Sequence, residues 1–152
     1  MRLYRAEQIV KPLENYRDID DFKIYLSDTG LLCSQKDIRP EDVLYMNTEL
    51  TDFKGGMTEN YVFIQLTDNG MQPYFWRDER GAREVDFIVS IGGKLIPVEV
   101  KSGENVGADS LKEYVKRFRP PWSIRVSAKN FGFENGIRSV PLYAVFCIED
   151  KP

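Results

Sequence analysis

Residues 83–103 read R-E-V-D-F-I-V-S-I-G-G-K-L-I-P-V-E-V-K-S-G. Two runs of β-branched and aromatic residues in period two flank Gly92-Gly93, the local signature of a β-hairpin. With the two glycines as the loop, Ile91 faces Lys94, and counting outward sets Asp86 directly opposite Glu99. That pair is of the non-hydrogen-bonded kind, whose side chains approach most closely. Alternation predicts Val85, Phe87 and Val89 on one face of the first strand and Asp86, Ile88 and Ser90 on the other, while Glu99 and Lys101 share a face of the second. Facing carboxylates repel. A cation such as Mg²⁺, which takes carboxylate and carbonyl oxygens, would turn that repulsion into coordination. A plainer alternative stays open, because the same register sets Glu84 opposite Lys101 as an ordinary charge pair.

The chain around this hairpin has 152 residues, enough for one domain with a real core, and a soluble globular composition. Cys33 and Cys147 form neither a secreted disulfide framework nor a metal-ligand spacing. No apolar run is long enough to span a bilayer, and M-R-L-Y-R-A-E-Q lacks the apolar centre of a signal peptide, so a cytoplasmic setting is expected. Histidine is absent, which removes Ser-His-Asp and Cys-His catalysis and His-ligated zinc together. No G-x-x-x-x-G-K-[ST] occurs, so this chain alone is not expected to hydrolyse ATP. Chemistry is left to carboxylates, lysine and a metal.

Charge is uneven along the chain. Residues 1–60 hold eight Lys or Arg against twelve Asp or Glu, whereas residues 94–129 hold eight against four. The slightly acidic total argues against coating nucleic acid by bulk electrostatics, yet the basic excess follows the hairpin.

Residues 1–20 read as a strand near Leu3 to Val10 and a polar connection, a linker or trailing piece of something upstream, with the domain proper spanning 21–152. Lys23 to Leu26 reads either as a short strand or as the start of a helix, and Thr29 to Cys33 as a helical turn. A short helix is expected from Pro40 to about Leu50. A longer one is expected from Gly56 to Asn69, with Val62, Phe63 and Leu66 on its apolar stripe and Glu59 one turn back on that same stripe. Tyr74 to Arg77 reads as a strand. Ser110 to Arg119 reads as a helix with Asp109 as N-cap and Leu111, Val115 and Phe118 on one face. Trp122 to Ser127 reads as a strand, F-G-F-E-N-G as a loop or short turn, and Leu142 to Ile148 as a last buried strand that takes Cys147 into the core.

The order helix, three strands, helix, strand, joined to Glu59, Asp86, Glu99 and Lys101, resembles the PD-(D/E)XK or restriction-endonuclease-like superfamily over roughly residues 55–127. The resemblance implies an α/β fold with an αβββαβ core, its mixed sheet flanked by helices, plus a terminal strand. Taken residue by residue, it makes Glu59 the helix acid, Asp86 the strand acid, Glu99 a further metal ligand and Lys101 the catalytic lysine. The chain is also similar to uncharacterised domains at the C-terminal end of predicted bacterial and archaeal AAA+ and other P-loop ATPases. That likeness lies at F-K-I-Y-L-S-D-T-G-L-L, G-G-M-T-E-N-Y-V, Y-F-W-R…E-V-D-F and I-P-V-E-V-K-S-G. It implies an upstream nucleotide-binding domain and a winged helix.

The implied activity is metal-assisted phosphodiester hydrolysis on nucleic acid, DNA foremost. Asp86, Glu99, a carbonyl near Val100 and Glu59 would hold Mg²⁺ or Mn²⁺, with Lys101 acting on the attacking water or the developing charge. Arg77, Arg80, Arg83, Lys112 and Lys116 are candidates for positioning the phosphate backbone. Resolvases of this fold work as dimers, so a homodimer is a further expectation. The alternative reading is a non-cleaving module that binds nucleic acid or a protein partner and regulates the upstream ATPase.

Overall fold

The central hairpin forms in the expected register, Ile91 opposite Lys94 and Phe87 opposite Val98, in a computed structural model that describes residues 1–39, 41–42, 51–102 and 109–150. Its strands are β4 (Glu84–Ile91) and β5 (Lys94–Val100). Pro97 is tolerated here because the ladder to the next strand begins only at Val98.

Six more strands extend this hairpin into an eight-stranded mixed sheet: β1 (Arg2–Ala6), β2 (Arg17–Ile24), β3 (Tyr74–Arg77), β6 (Ser123–Ser127), β7 (Gly132–Glu134) and β8 (Ile137–Pro141). Their order is β2-β1-β3-β4-β5-β6-β8-β7, parallel at β1/β3, β5/β6 and β6/β8 and antiparallel elsewhere. The helices are α1 (Thr29–Gln35), α2 (Thr51–Asp68) and α3 (Asp109–Phe118). The helix expected from Pro40 to about Leu50 lies, apart from residues 41–42, outside the described residues.

Each face of the sheet carries its own core. Val62, Phe63 and Leu66 of α2 pack on Phe87, Val89, Ile96, Val98, Ile124 and Val126. Tyr114 of α3 packs on Tyr74, Trp76, Val85 and Ile88 on the other side. Burying each of these large side chains contributes about 1.5–3 kcal/mol, which fixes the register because a one-residue slip would exchange the faces.

Four expectations are corrected. β3 pairs Tyr74 with Ile88 but Trp76 with Val85, so β4 uses three residues where β3 uses two, a β-bulge around Asp86 and Phe87. Val85 therefore joins Ile88, not Phe87 and Val89. The first twenty residues are not a loose connection, since β1 and β2 belong to the sheet and Leu3 is fully buried. F-G-F-E-N-G is more than a loop or short turn: besides a tight turn at Asn135 and Gly136, both at positive φ, the geometry that a two-residue hairpin needs, it holds β7. Leu142 to Ile148 is not a strand but a 3₁₀ segment over Leu142–Cys147, which buries Ala144 and Val145 and exposes Tyr143, Phe146 and Cys147. An apolar run without alternation does not distinguish the two.

Candidate functional site

At the end of the hairpin remote from its turn, Asp86, Glu99 and Lys101 come together, with Glu59 reaching toward them from α2. The bulge is what re-aims β4 at Asp86. Asp86 Oδ2 accepts the Val100 N–H at 2.7 Å. Burial, reinforced by the charges of Glu99 and Glu59, pushes its carboxyl up to about 8 against the opposing pull of the Val100 N–H and Lys23. Glu99 is only 4% exposed, and burial raises its pKa as well, although Lys101 and Arg125 pull the other way. Lys101 Nζ lies 2.7 Å from Glu99 Oε1, while Glu99 Oε2 is buried without a hydrogen-bond partner.

The alternative pairing of Lys101 with Glu84 does not occur. Glu84 binds Lys23 and, at 2.8 Å, Arg77. Val100 donates its N–H to Asp86 Oδ2.

Glu59 is held in a different way. α2 begins at Thr51, so Glu59 sits in the body of the helix. Lys23 Nζ donates to Glu59 Oε1 at 2.8 Å and the Tyr25 hydroxyl donates to the same oxygen. Burial would lower the Lys23 pKa, but Glu59 and Glu84 outweigh it and raise the pKa overall. Burial, then Glu59, pushes Tyr25 up, so its phenol stays a donor. Asn60, which the helical wheel places among polar positions, is buried and fixes this arrangement by accepting the Leu26 N–H at 2.9 Å and donating to the Leu26 carbonyl at 3.2 Å. Sequence reasoning misses Lys23 and Tyr25, although F-K-I-Y alternates and so places both on one face of β2.

Among the described residues, no three carboxylates or thiols converge as a closed cation cage requires. Two carboxylates are nevertheless enough for Mg²⁺, which keeps several waters and completes its shell with substrate phosphate. The buried, unpartnered Glu99 oxygen and the raised carboxyls of Asp86 and Glu99 fit such an ion. Glu59, already taken by Lys23 and Tyr25, acts on the pair through its charge.

The five basic candidates do not form one free surface. Arg77 is bound to Asp21 at 3.0 Å and to Glu84, and Arg83 to Glu113 at 3.0 Å. Arg80 and Lys116 are exposed, and Lys112 is exposed on α3.

A model of the family described as Domain of unknown function (DUF4143) matches residues 54–145, more than half of the chain, from inside α2 to the 3₁₀ segment. No curated protein and no solved structure matches the chain. Among the described residues, no helix is long and apolar enough to cross a membrane.

Proposed function

Since this chain belongs to the DUF4143 family, whose description assigns no activity, we propose its function from the site: metal-dependent hydrolysis of phosphodiester bonds in nucleic acid, DNA foremost. The observation that carries this reading is the Asp86–Glu99 pair, short of positive charge, with a buried free oxygen on Glu99 and Lys101 on its other oxygen. The order α2, β3, β4, β5, α3, β6, with the two helices on opposite faces, supports a PD-(D/E)XK-type core.

Bound there, Mg²⁺ or Mn²⁺ would supply charge neutralisation at the phosphate and a more acidic water. Asp86 and Glu99 hold the ion and must both be ionised to do so. Lys101 stands beside Glu99, placed to orient the attacking water and to stabilise the charge that grows on the phosphate oxygens. Water oxygen joins phosphorus, the phosphorus–oxygen ester bond breaks, and the leaving oxygen takes up a proton. Glu59, locked by Lys23 and Tyr25, keeps β2 and α2 together beside the acids.

A specific observation favours a second reading. Lys23, Arg77 and Arg83 are all paired with carboxylates, which leaves less free positive charge around the acids than a phosphate-gripping site usually shows. In that reading the domain is a non-cleaving module that binds nucleic acid or protein and regulates an upstream P-loop ATPase and winged helix. Cytoplasmic location and a homodimer that acts on two strands belong to the same proposal.

Calorimetric titration with Mn²⁺, run beside cleavage assays on labelled single-stranded, duplex and branched DNA and on RNA, separates the two. Binding and cutting that both disappear in Glu99→Ala support the enzyme. A wild-type domain that binds Mn²⁺ with no turnover on any of these substrates supports the regulatory module.

A further inference from the structure

β5 and β6 run parallel with Glu99 beside Arg125, and β6 and β8 run parallel with Arg125 beside Ser139. Ile124 and Val126 fill the core under α2, so Arg125 points to the α3 face, the one Glu99 occupies. There it lines a groove of about 570 Å³ between α3 and the β7–β8 hairpin, together with Lys112, Lys116, Ser123 and Ser139. Among the described residues, one carboxylate, the exposed Glu134, also lines it.

The Arg125 guanidinium is half-buried, and among the described residues it has no hydrogen bond or ion pair; its Nε is buried without an acceptor. A guanidinium Nε–H held in place with nothing to receive it is unusual inside a fold, because an unmet buried donor destabilises it by about 1–3 kcal/mol. The guanidinium geometry matches a phosphate, and the lysines add charge of the same sign.

We propose that Arg125, with Lys116 and Lys112, forms a phosphate-binding subsite in this groove, which holds a backbone phosphate of a nucleic-acid strand whose neighbouring phosphate lies at Asp86 and Glu99. The identity of the strand rests on the hydrolase reading above; the phosphate chemistry of the groove does not. The register gives the path, since Glu99 and Arg125 are adjacent on neighbouring strands about 4.8 Å apart, within the reach of consecutive phosphates.

The test is fluorescence anisotropy of a short labelled single-stranded DNA in EDTA, where nothing is cut, on wild type, Arg125→Gln and Arg125→Lys. Pyrophosphate serves as competitor, and thermal melts check that each variant is folded. We expect Arg125→Gln to weaken binding about tenfold or more and to lower the salt slope by about one, with Arg125→Lys recovering part of the loss. Because EDTA strips any ion from Asp86 and Glu99, a failed metal site leaves this result standing. Equal affinity of folded Arg125→Gln, Arg125→Lys and wild type would overturn the subsite. Pyrophosphate binding that depends on Arg125 while DNA binding does not would overturn the nucleic-acid assignment.

Discussion

Asp86 carries a proton at neutral pH for a physical reason that can be measured. Unfolded, its carboxyl titrates near about 4; folded, burial and the charges of Glu99 and Glu59 push it up to about 8. Between those values the folded chain keeps a proton that the unfolded chain has released, so stability falls as pH rises through the window and levels off above it. Thermal melts of wild type should therefore decline from about pH 5 to about pH 8, and those of Asp86→Asn should decline less; parallel curves would contradict this account. Lys23 presents the opposite case. It bridges Glu59 and Glu84, and Lys23→Met should cost about 1–3 kcal/mol in urea denaturation by leaving half-buried Glu59 with no cation and Glu84 with Arg77 alone. No loss would mean that the two acids are well solvated. The neighbourhood of Asp86, Glu99 and Lys101 on the hairpin was legible in the sequence from strand period and turn length, and that of Glu59 from the helical stripe. Lys23 and Tyr25 were not, because their partner Glu59 is distant in sequence, and only Asn60 clasping Leu26 brings the segments together. Arg125 was invisible for a related reason: on a strand pattern it looks like any exposed arginine, and its lack of a partner shows only once the neighbouring strands are in place.

At the scale of elements, the hairpin β4–β5 was readable from Gly92-Gly93, whereas the bulge that aims Asp86 was not, since it is imposed by the pairing of β4 with β3. β7 and β8 had a readable signal that composition obscured: Asn135-Gly136 is a hairpin turn between short strands rather than a loop. Gly136 has φ +74° with open space where a Cβ would sit, so strain is the only penalty for adding one. Gly136→Ala should then destabilise the domain by roughly 1 kcal/mol, read by urea denaturation, and it should loosen the hairpin wall of the Arg125 groove. An unchanged midpoint would argue against a left-handed residue there. The last apolar run was misread because Tyr143 and Phe146 have the same composition whether they are buried in a strand or exposed on a 3₁₀ turn.

For the whole molecule, the sheet brings acids from β4 and β5, a lysine just past β5 and an arginine from β6 onto neighbouring positions, with α2 covering one face and α3 the other. An ion that binds the ionised Asp86–Glu99 pair only in the folded state must stabilise the fold, so saturating Mn²⁺ near pH 8 should raise the melting temperature of wild type and leave Glu99→Gln unmoved. Identical shifts in both proteins would place the ion elsewhere. The central claim is hydrolysis at this cluster, and Lys101 tests it most directly because it serves the chemistry without being needed to hold the ion. The decisive measurement is nicking of supercoiled plasmid in Mg²⁺ or Mn²⁺ by wild type and Lys101→Ala, with Mn²⁺ affinity measured on both. Cutting by wild type that is lost in Lys101→Ala at unchanged Mn²⁺ affinity is the result this account predicts; cutting that persists undiminished in Lys101→Ala would contradict it.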